Sequence, residues 1–207
     1  PLQGSGKVKA GQRVNLLCAT DNNMGTSGEV VYRSSAQEWL DEKAQLPDPS
    51  QANAEMPFPI HVVSEQHQLD QITGNHLAQF FSYRHAYYDG AEREFRGFGL
   101  LLQTDTETSS ASAEGQGFTA PVLSKTWFHT GKALHMPADD GWDGDERLAP
   151  LGDTLCTQRI DGTEQLHTDW DASTLHDAAR TLSGSVLRTE TLGADGNPVP
   201  YSATQNR

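Results

Sequence analysis

One segment, residues 80–105, constrains the fold more than any other part of the chain. Its first half places four ring-bearing side chains at alternate positions, so a strand would carry them on one face: Phe81, Tyr83, His85 and Tyr87. Asp89-Gly90 follows, and this pair is the strongest short signal for a two-residue type I′ turn, in which Gly90 has a positive φ. The segment therefore predicts a long antiparallel hairpin, which cannot be stable alone.

The returning strand of this hairpin contains glycines. Phe95, Gly97 and Gly99 are expected on one side, and a glycine inside a strand marks a bulge or a close approach by another group. Charges of both signs alternate beside the turn, at Glu92, Arg93, Glu94 and Arg96. This alternation favours ion pairs between the strands over a pair of catalytic carboxylates. Tyr88 and Phe98 complete the set of hairpin residues to which we assign a structural role.

The apolar content of the chain is low. Leu, Ile, Val and Phe number 39 of the 207 residues, and the formal net charge is -13. Such a composition lies near the border at which disorder is expected. Either part of the chain is disordered, or its apolar surface is buried against something absent from this sequence. The acidic excess argues against binding to nucleic acid or to an anionic membrane, and no apolar run is long enough to cross a bilayer.

The rest of the sequence reads mainly as strands. Strands are predicted at residues 13–18 and 28–33 (a hairpin with a long loop), at 121–130 with Trp127 and Phe128, and at 185–192. Prolines at 57 and 59 predict that residues 56–63 form an extended edge strand. Short helices are predicted at 35–43 and 171–182, with a polar linker at 106–117.

These elements predict an all-β fold of antiparallel hairpins with one or two short helices, since no βαβ alternation occurs. Residues 139–180 hold 11 acidic and 3 basic residues, which predicts a solvated insertion. The predicted organisation has four parts: a linker-like end (1–12), a β-sheet segment (13–137), an acidic insertion or loop (138–170), and a short helix with a terminal strand (171–207).

No motif in the sequence supports a cofactor or a metal. The glycines at 115 and 117 lack the strand and helix of a dinucleotide site. The acidic run 139–146 fails the EF-hand pattern at its third and twelfth positions, which leaves an irregular calcium site or a solvated loop. His85 and His129 lie in predicted strands, where packing with one satisfied ring nitrogen is favoured over metal binding. Cys18 and Cys156 are either reduced thiols or one long-range disulfide.

Six segments together carry a family resemblance. They are 83–99, which leads into Asp105-Thr106-Glu107, and, elsewhere in the chain, 31–43, 57–63, 70–75, 125–131 and 182–188. In their order along the chain, these six segments closely resemble the middle region of the B subunit of insecticidal toxin complexes (Tc toxins), which is related to Rhs/YD-repeat proteins. The resemblance covers about residues 15–201, and Tyr88-Asp89 is the dipeptide that names the YD repeats.

The resemblance implies a non-catalytic segment of a curved β-shell. In that family the B and C subunits close the shell together around the toxic C-terminal region of the C subunit, and the shell docks on the A-subunit pore. The implied partners are the C subunit, the remainder of the B subunit and, indirectly, the A subunit, without nucleic acid and without direct membrane insertion. The implied location is extracellular, after synthesis in the bacterial cytoplasm, although no signal peptide is visible.

Two other functions remain to be weighed against this one. An independent carbohydrate- or ligand-binding β-domain would use Trp127, Tyr87 and Tyr88 as a stacking platform. An enzyme would need the histidines and carboxylates to converge, and their spacing in the sequence does not indicate this.

Overall fold

The computed structural model describes residues 15–52, 55–109, 121–133, 141–142, 144–151, 157–167 and 169–206. Within these ranges the chain forms strands and two short α-helices, which confirms the predicted all-β class. The strands are β1 (Ala19–Asp21), β2 (Thr26–Ser34), β3 (His61–Asp70), β4 (Asn75–Asp89), β5 (Glu94–Ser109), β6 (Val122–Phe128), β7 (Thr157–Ile160), β8 (Thr163–Leu166), β9 (Val186–Gly193) and β10 (Ser202–Gln205). The helices are α1 (Ser35–Gln45) and α2 (Ala172–Thr181).

Eight of these strands form one antiparallel sheet in the order β1-β2-β3-β4-β5-β6-β9-β10. The first six follow one another along the chain as a meander, and β6 then pairs directly with β9. The segment between β6 and β9 includes α2 and the separate β7–β8 hairpin. This hairpin lies within the predicted acidic insertion, whose boundaries remain a prediction. No helix in the described ranges has the length and apolar character needed to span a membrane.

The long hairpin is formed by β4 and β5 and extends further than predicted. Its register runs from Asn75 opposite Ser109 to Asp89 opposite Glu94. Residues 106–109, expected in a linker, therefore belong to β5, because they complete the ladder with β4. The rest of that predicted linker, residues 110–117, lies outside the described residues.

The predicted two-residue turn at Asp89-Gly90 is wrong. Because Asp89 pairs with Glu94, the loop contains four residues, and its positive φ falls at Arg93 (+56°) and not at Gly90. The carboxylate of Asp89 accepts hydrogen bonds from the backbone N–H groups of Ala91 (3.0 Å) and Glu92 (3.2 Å). These side-chain bonds stabilise the longer loop.

Two irregularities modify the faces of the hairpin. The bulge predicted from the strand glycines is present at Gly97, where φ is +103° and the register shifts between Tyr87 and Tyr88. Phe95 consequently contacts Phe98, with 5.4 Å between ring centroids, so the predicted face shared by Phe95, Gly97 and Gly99 does not persist. On β4, His85 has a φ of +56° and is skipped in the pairing, which interrupts the predicted row of four rings.

Two other strand predictions need correction. Residues 15–18 are not in a strand, since β1 begins at Ala19 and a short loop, not a long one, joins it to β2. Residues 56–60 stay outside the sheet, as their prolines require, but β3 lies between β2 and β4 and not at an edge. The prolines precede the strand, so every residue of β3 retains its backbone N–H for pairing.

Both helices begin at the residues that the sequence indicates. The Ser34 hydroxyl accepts from the N–H of Ala36 at the start of α1, and Asp171 accepts from the N–H of Thr174 (2.7 Å) at the start of α2. Gly184, predicted to follow the second helix, has a φ of +83°. The N-cap and C-terminal glycine signals were therefore sufficient to place α2.

The most buried part of the sheet is a cross-strand row. Leu100, Trp127, Arg188 and Gln205 are consecutive register partners across β5, β6, β9 and β10. Leu100, Trp127, Arg188 and Glu190 are fully buried. Elsewhere large apolar side chains remain exposed, including Leu69, Leu77 and Phe80 on β3 and β4. The sheet thus combines a small, partly charged core with apolar surface that a further layer could cover.

Candidate functional site

The outer half of β4 lies beyond the reach of β3. The ladder between them ends at the pair Glu65–Phe80, so later residues of β4 present backbone groups at an edge. Glu55 fills part of this edge: its N–H donates to Ala86 O, and its carbonyl accepts from Tyr88 N–H, both at 2.8 Å. The isolated bridge between Glu55 and Tyr87 records the same contact. An otherwise unpaired edge is thereby satisfied by the connection between α1 and β3.

Helix α1 supplies the next partner of this edge. Glu38, only 5% exposed, accepts from the N–H of Tyr83 through Oε2 (3.1 Å) and forms an ion pair with Arg33 Nε through Oε1 (2.8 Å). Arg33 also pairs with Asp41, one turn further along the helix. The buried residues of α1 are Ser35, Glu38 and Glu42, all of them polar. The helix therefore docks on the sheet largely through polar groups.

A groove lies between α1 and the proline-containing segment before β3. It has a volume of about 270 Å³ and is lined by Ser35, Ala36, Trp39, Met56, Pro57, Phe58, Pro59 and Ala86. The indole N–H of Trp39 donates to Ala52 O (3.1 Å), and Phe58 packs edge-on against Tyr88 (5.3 Å). Trp39 on α1 and Tyr88 on the hairpin are thus each held by the connection between α1 and β3.

At the hairpin tip, Asp89 is 3% exposed and has four donors. Besides the two loop N–H groups, Arg96 Nη2 lies 3.3 Å from Oδ2 and His176 Nε2 lies 2.7 Å from the same oxygen. Burial raises the pKa of Asp89, but the hydrogen bonds from His176 and from the loop backbone outweigh it and bring the pKa to about 2. The carboxylate is therefore ionised at neutral pH.

Helix α2 is attached to the tip by charge. The hydrogen bond to Asp89 raises the pKa of His176, with a smaller contribution from Asp177. Arg180, one turn later, lies 3.5 Å from Glu92 and 3.4 Å from Glu94. Of the charges expected to pair across the hairpin, Arg96 pairs with Asp89 on β4 and with Glu94 on its own strand (3.3 Å). Glu92 and Glu94 also reach Arg180 on α2. We call this set the tip clamp: Asp89, Glu92, Glu94, Arg96, His176 and Arg180.

Two further contacts fix the neighbouring aromatic residues. Lys132 Nζ lies 5.5 Å from the ring centroid of Tyr87 and 2.6 Å from Glu55. The ring of Tyr83 packs against Phe98 with 4.9 Å between centroids. Both aromatic residues therefore serve the packing of the hairpin.

On the other side of β5, the fully buried row contains an ion pair. Arg188 Nη1 lies 3.7 Å from Glu190 Oε1, and the guanidinium lies 5.7 Å from the ring centroid of Trp127. Glu190 also accepts from the N–H of Trp142 (3.0 Å), while Arg188 donates to Ala149 O (2.7 Å). Glu190 and Arg188 thus hold Trp142 and Ala149, respectively, over the sheet. Phe128 follows Trp127 after a register shift and pairs with Val186.

The burial and the contacts of these side chains bear on the carbohydrate-binding alternative and on the candidate metal sites. Trp127 is fully buried, so the predicted carbohydrate-stacking platform cannot include it. Within the described ranges no three His, Cys, Asp or Glu side chains are grouped to hold a metal ion. His129 is packed as predicted, with Nδ1 accepting from Gly131 N–H (2.9 Å). In the acidic run, Asp145 is paired with Arg147. The glycine motif at 115–120 and Cys156 lie outside the described residues.

Comparison with known proteins identifies the family. The model of the "Insecticide toxin TcdB middle/N-terminal region" matches residues 3–131, more than half of the chain. The chain belongs to this TcdB family. No curated protein sequence matches it.

Solved structures agree with this TcdB assignment. The crystal structure of TcdB2-TccC3 is 33% identical with a TM-score of 0.72, and that of TcdB2-TccC3-Cdc42 is 34% identical with a TM-score of 0.71. The Tc holotoxin pore of Photorhabdus luminescens gives 33% identity and a TM-score of 0.72. In each case the match covers 92% of this chain and 9% of the solved chain. The fold is therefore that of a segment of a toxin-complex B subunit.

Sequence reasoning about this TcdB segment missed the residues that connect its elements, namely Glu38, Glu55, His176, Arg188 and Glu190. A signal existed for two of them. Arg188 and Glu190 are two positions apart in a predicted strand, so they had to share a face. The other three act between elements that are distant in sequence, and no local pattern indicates such contacts.

Proposed function

We propose that this chain is a non-catalytic wall segment of a B-subunit β-shell that encloses the toxic C-terminal region of a C subunit and helps to deliver it. The observation that carries the proposal is that charged side chains in the described residues form contacts between the structural elements. The carboxylates of Glu38, Asp89, Glu92 and Glu190 are committed to a strand edge, to a helix or to buried arginines. In the part of the chain that the structure describes, such charges hold the elements of the wall together.

The exposed apolar residues also favour a wall. Leu77 and Phe80 are three positions apart in β4 and therefore point to opposite faces of the sheet, and they are 45% and 40% exposed. A larger shell would bury such residues against further elements of the B subunit or against its contents. The partners that follow from this proposal are the rest of the B subunit, the C subunit and, through the assembled shell, the A-subunit pore. Synthesis in the bacterial cytoplasm and action outside the cell belong to the same proposal.

The test uses the complete B subunit that contains this segment, produced together with its C subunit. Phe80→Lys places a charge on the sheet, whereas Ile160→Lys places one at a similarly exposed position (40%) on the separate β7–β8 hairpin. We expect Phe80→Lys to reduce co-elution of the two subunits and protease protection of the C-terminal region, while Ile160→Lys retains both.

Full protection in Phe80→Lys and in a matching Leu77→Lys variant would contradict a wall role for β4. Saturable binding of a glycan to the isolated chain, with a tryptophan fluorescence shift, would favour the ligand-binding alternative instead.

A further inference from the structure

Two histidines stand side by side on the sheet at the end away from the tip clamp. In the β3–β4 register, His67 is opposite Ala78 and Leu69 is opposite His76, so the two histidines are diagonal neighbours on one face. Their rings are nearly parallel (19°) with centroids 5.2 Å apart. Nδ1 of His67 lies 3.2 Å from Nε2 of His76. Neither residue has a role in the hairpin tip or in the buried row.

A carboxylate orients the first of these rings. Glu65, two residues earlier on the same face of β3, places Oε2 3.0 Å from Nε2 of His67. When Nε2–H of His67 donates to this carboxylate, Nδ1 is left with its lone pair towards His76. Metal-binding histidines are commonly oriented in this way, by a carboxylate that accepts from the second ring nitrogen.

The separation of the two facing nitrogens matches shared coordination. Two nitrogens about 2.0–2.1 Å from one ion are about 2.9 Å apart at a right angle and about 3.3 Å apart at the tetrahedral angle. The observed 3.2 Å lies between these limits. A cation could therefore take the place of the hydrogen bond between the two rings, with the single proton of neutral His76 moving from Nε2 to Nδ1.

The surroundings would admit a cation from solvent. The His67 side chain is 22% exposed, and Glu29 on β2 is its register partner, which adds a second carboxylate to this face. Phe80 packs edge-on against His67 at 6.1 Å and limits movement of the ring. Two protein nitrogens with the remaining positions open to water make an accessible chelate and not a closed structural site.

We propose that His67 and His76 form a two-histidine site for a divalent transition-metal ion. Imidazole ligands and the usual order of stability predict that Cu²⁺ binds most tightly, that Ni²⁺ and Zn²⁺ bind less tightly, and that Mg²⁺ and Ca²⁺ do not bind. A bound ion would link β3 to β4 near the turn that joins them. This inference does not depend on the proposed shell function.

The test is calorimetric titration of the untagged chain with Cu²⁺ and with Zn²⁺. We expect one tight site that His67→Ala or His76→Ala weakens about 10²-fold, because each variant removes one arm of the chelate. The double variant should bind at least as weakly as either single variant, because it removes both arms. Glu65→Gln should weaken binding about 10-fold while retaining the site. His61→Ala, at the other end of β3, is the matched control and should bind as the parent does.

Electron paramagnetic resonance of the Cu²⁺ complex should show coupling to two imidazole nitrogens. A site retained unchanged in His67→Ala and in His76→Ala would overturn the proposal, as would equal loss in His61→Ala. A measurement on the parent chain guards against misfolded variants. Zn²⁺ should protect His67 and His76, but not His61, from diethyl pyrocarbonate, and equal modification of all three with and without Zn²⁺ would also overturn it.

Discussion

His176 Nε2 lies 2.7 Å from Asp89 Oδ2, although the two residues are 87 positions apart in sequence. This contact joins α2 to the loop of the long hairpin and places a titratable ring against a buried carboxylate. Helix α2, the hairpin loop and β5 consequently all contact the side chain of Asp89. The tip clamp is therefore the part of the fold that should respond most directly to pH.

His176→Gln should make the stability of the chain less dependent on pH. The Asp89 contact raises the pKa of His176 in the folded chain above the unfolded value of about 6.5. The stabilisation is therefore complete below about pH 6.5 and is lost as the pH rises through the higher folded value. Urea unfolding should show a larger difference between parent and variant at pH 6 than at pH 9. Asp177→Asn keeps the Asp89 contact and should reduce the pH dependence only slightly. An equal difference between parent and His176→Gln at both pH values would refute this role.

Gly97→Ala should destabilise the hairpin, whereas Gly90→Ala should not. Neither added methyl group meets an atom within 4 Å, so the two sites differ in backbone conformation alone. Gly97 has a φ of +103°, which an alanine adopts only at a cost of about 1–3 kcal/mol. For Gly90→Ala we expect less than about 0.5 kcal/mol. Denaturant unfolding of both variants decides the matter, and equal losses would show that the bulge does not require glycine.

Glu38→Ala should reduce the free energy of unfolding by about 1–3 kcal/mol, because it leaves the edge N–H of Tyr83 without its acceptor. Asp41→Ala removes the other carboxylate that pairs with Arg33, but its side chain is 44% exposed. A surface ion pair contributes less than about 1 kcal/mol. Hydrogen exchange at Tyr83 should rise in Glu38→Ala only. Unchanged protection there would mean that α1 does not seal the edge of β4.

Arg188→Met should be the most destabilising of these changes, at about 3–5 kcal/mol, because it leaves Glu190 buried without its guanidinium partner. The double variant Arg188→Met/Glu190→Met removes both charges and should be more stable than Arg188→Met alone. Thermal and urea unfolding of the single and double variants measure this. A double variant that is less stable than Arg188→Met would show that Glu190 contributes mainly through Trp142.

The strands and helices were predictable where a local signal determined them. The serine and aspartate caps placed both helices, the strand glycines placed the bulge at Gly97, and alternating apolar residues gave most strands. The loop at Asp89 was not predictable from its dipeptide. Its geometry depends on Arg96 and His176, which hold the carboxylate from other elements.

The candidate site was predictable only in part. The aromatic residues of the hairpin were predicted as a group, but the interruption at His85 and the complete burial of Trp127 were not predicted. Burial of Trp127 depends on Arg188, which lies 61 positions further along the chain, and on Gly141, which lies against the indole. Composition indicated a thin core, and it could not indicate that buried charges would fill part of it.

The pairing of β6 with β9 has a consequence for how this family is divided. The family match ends at residue 131, just after β6, yet β9 and β10 continue the same hydrogen-bonded ladder. A recombinant fragment cut at that boundary would lose Arg188 and Glu190 and would open the indole of Trp127 to water. The smallest unit to express or graft therefore extends through Gln205, beyond the end of the family match at residue 131.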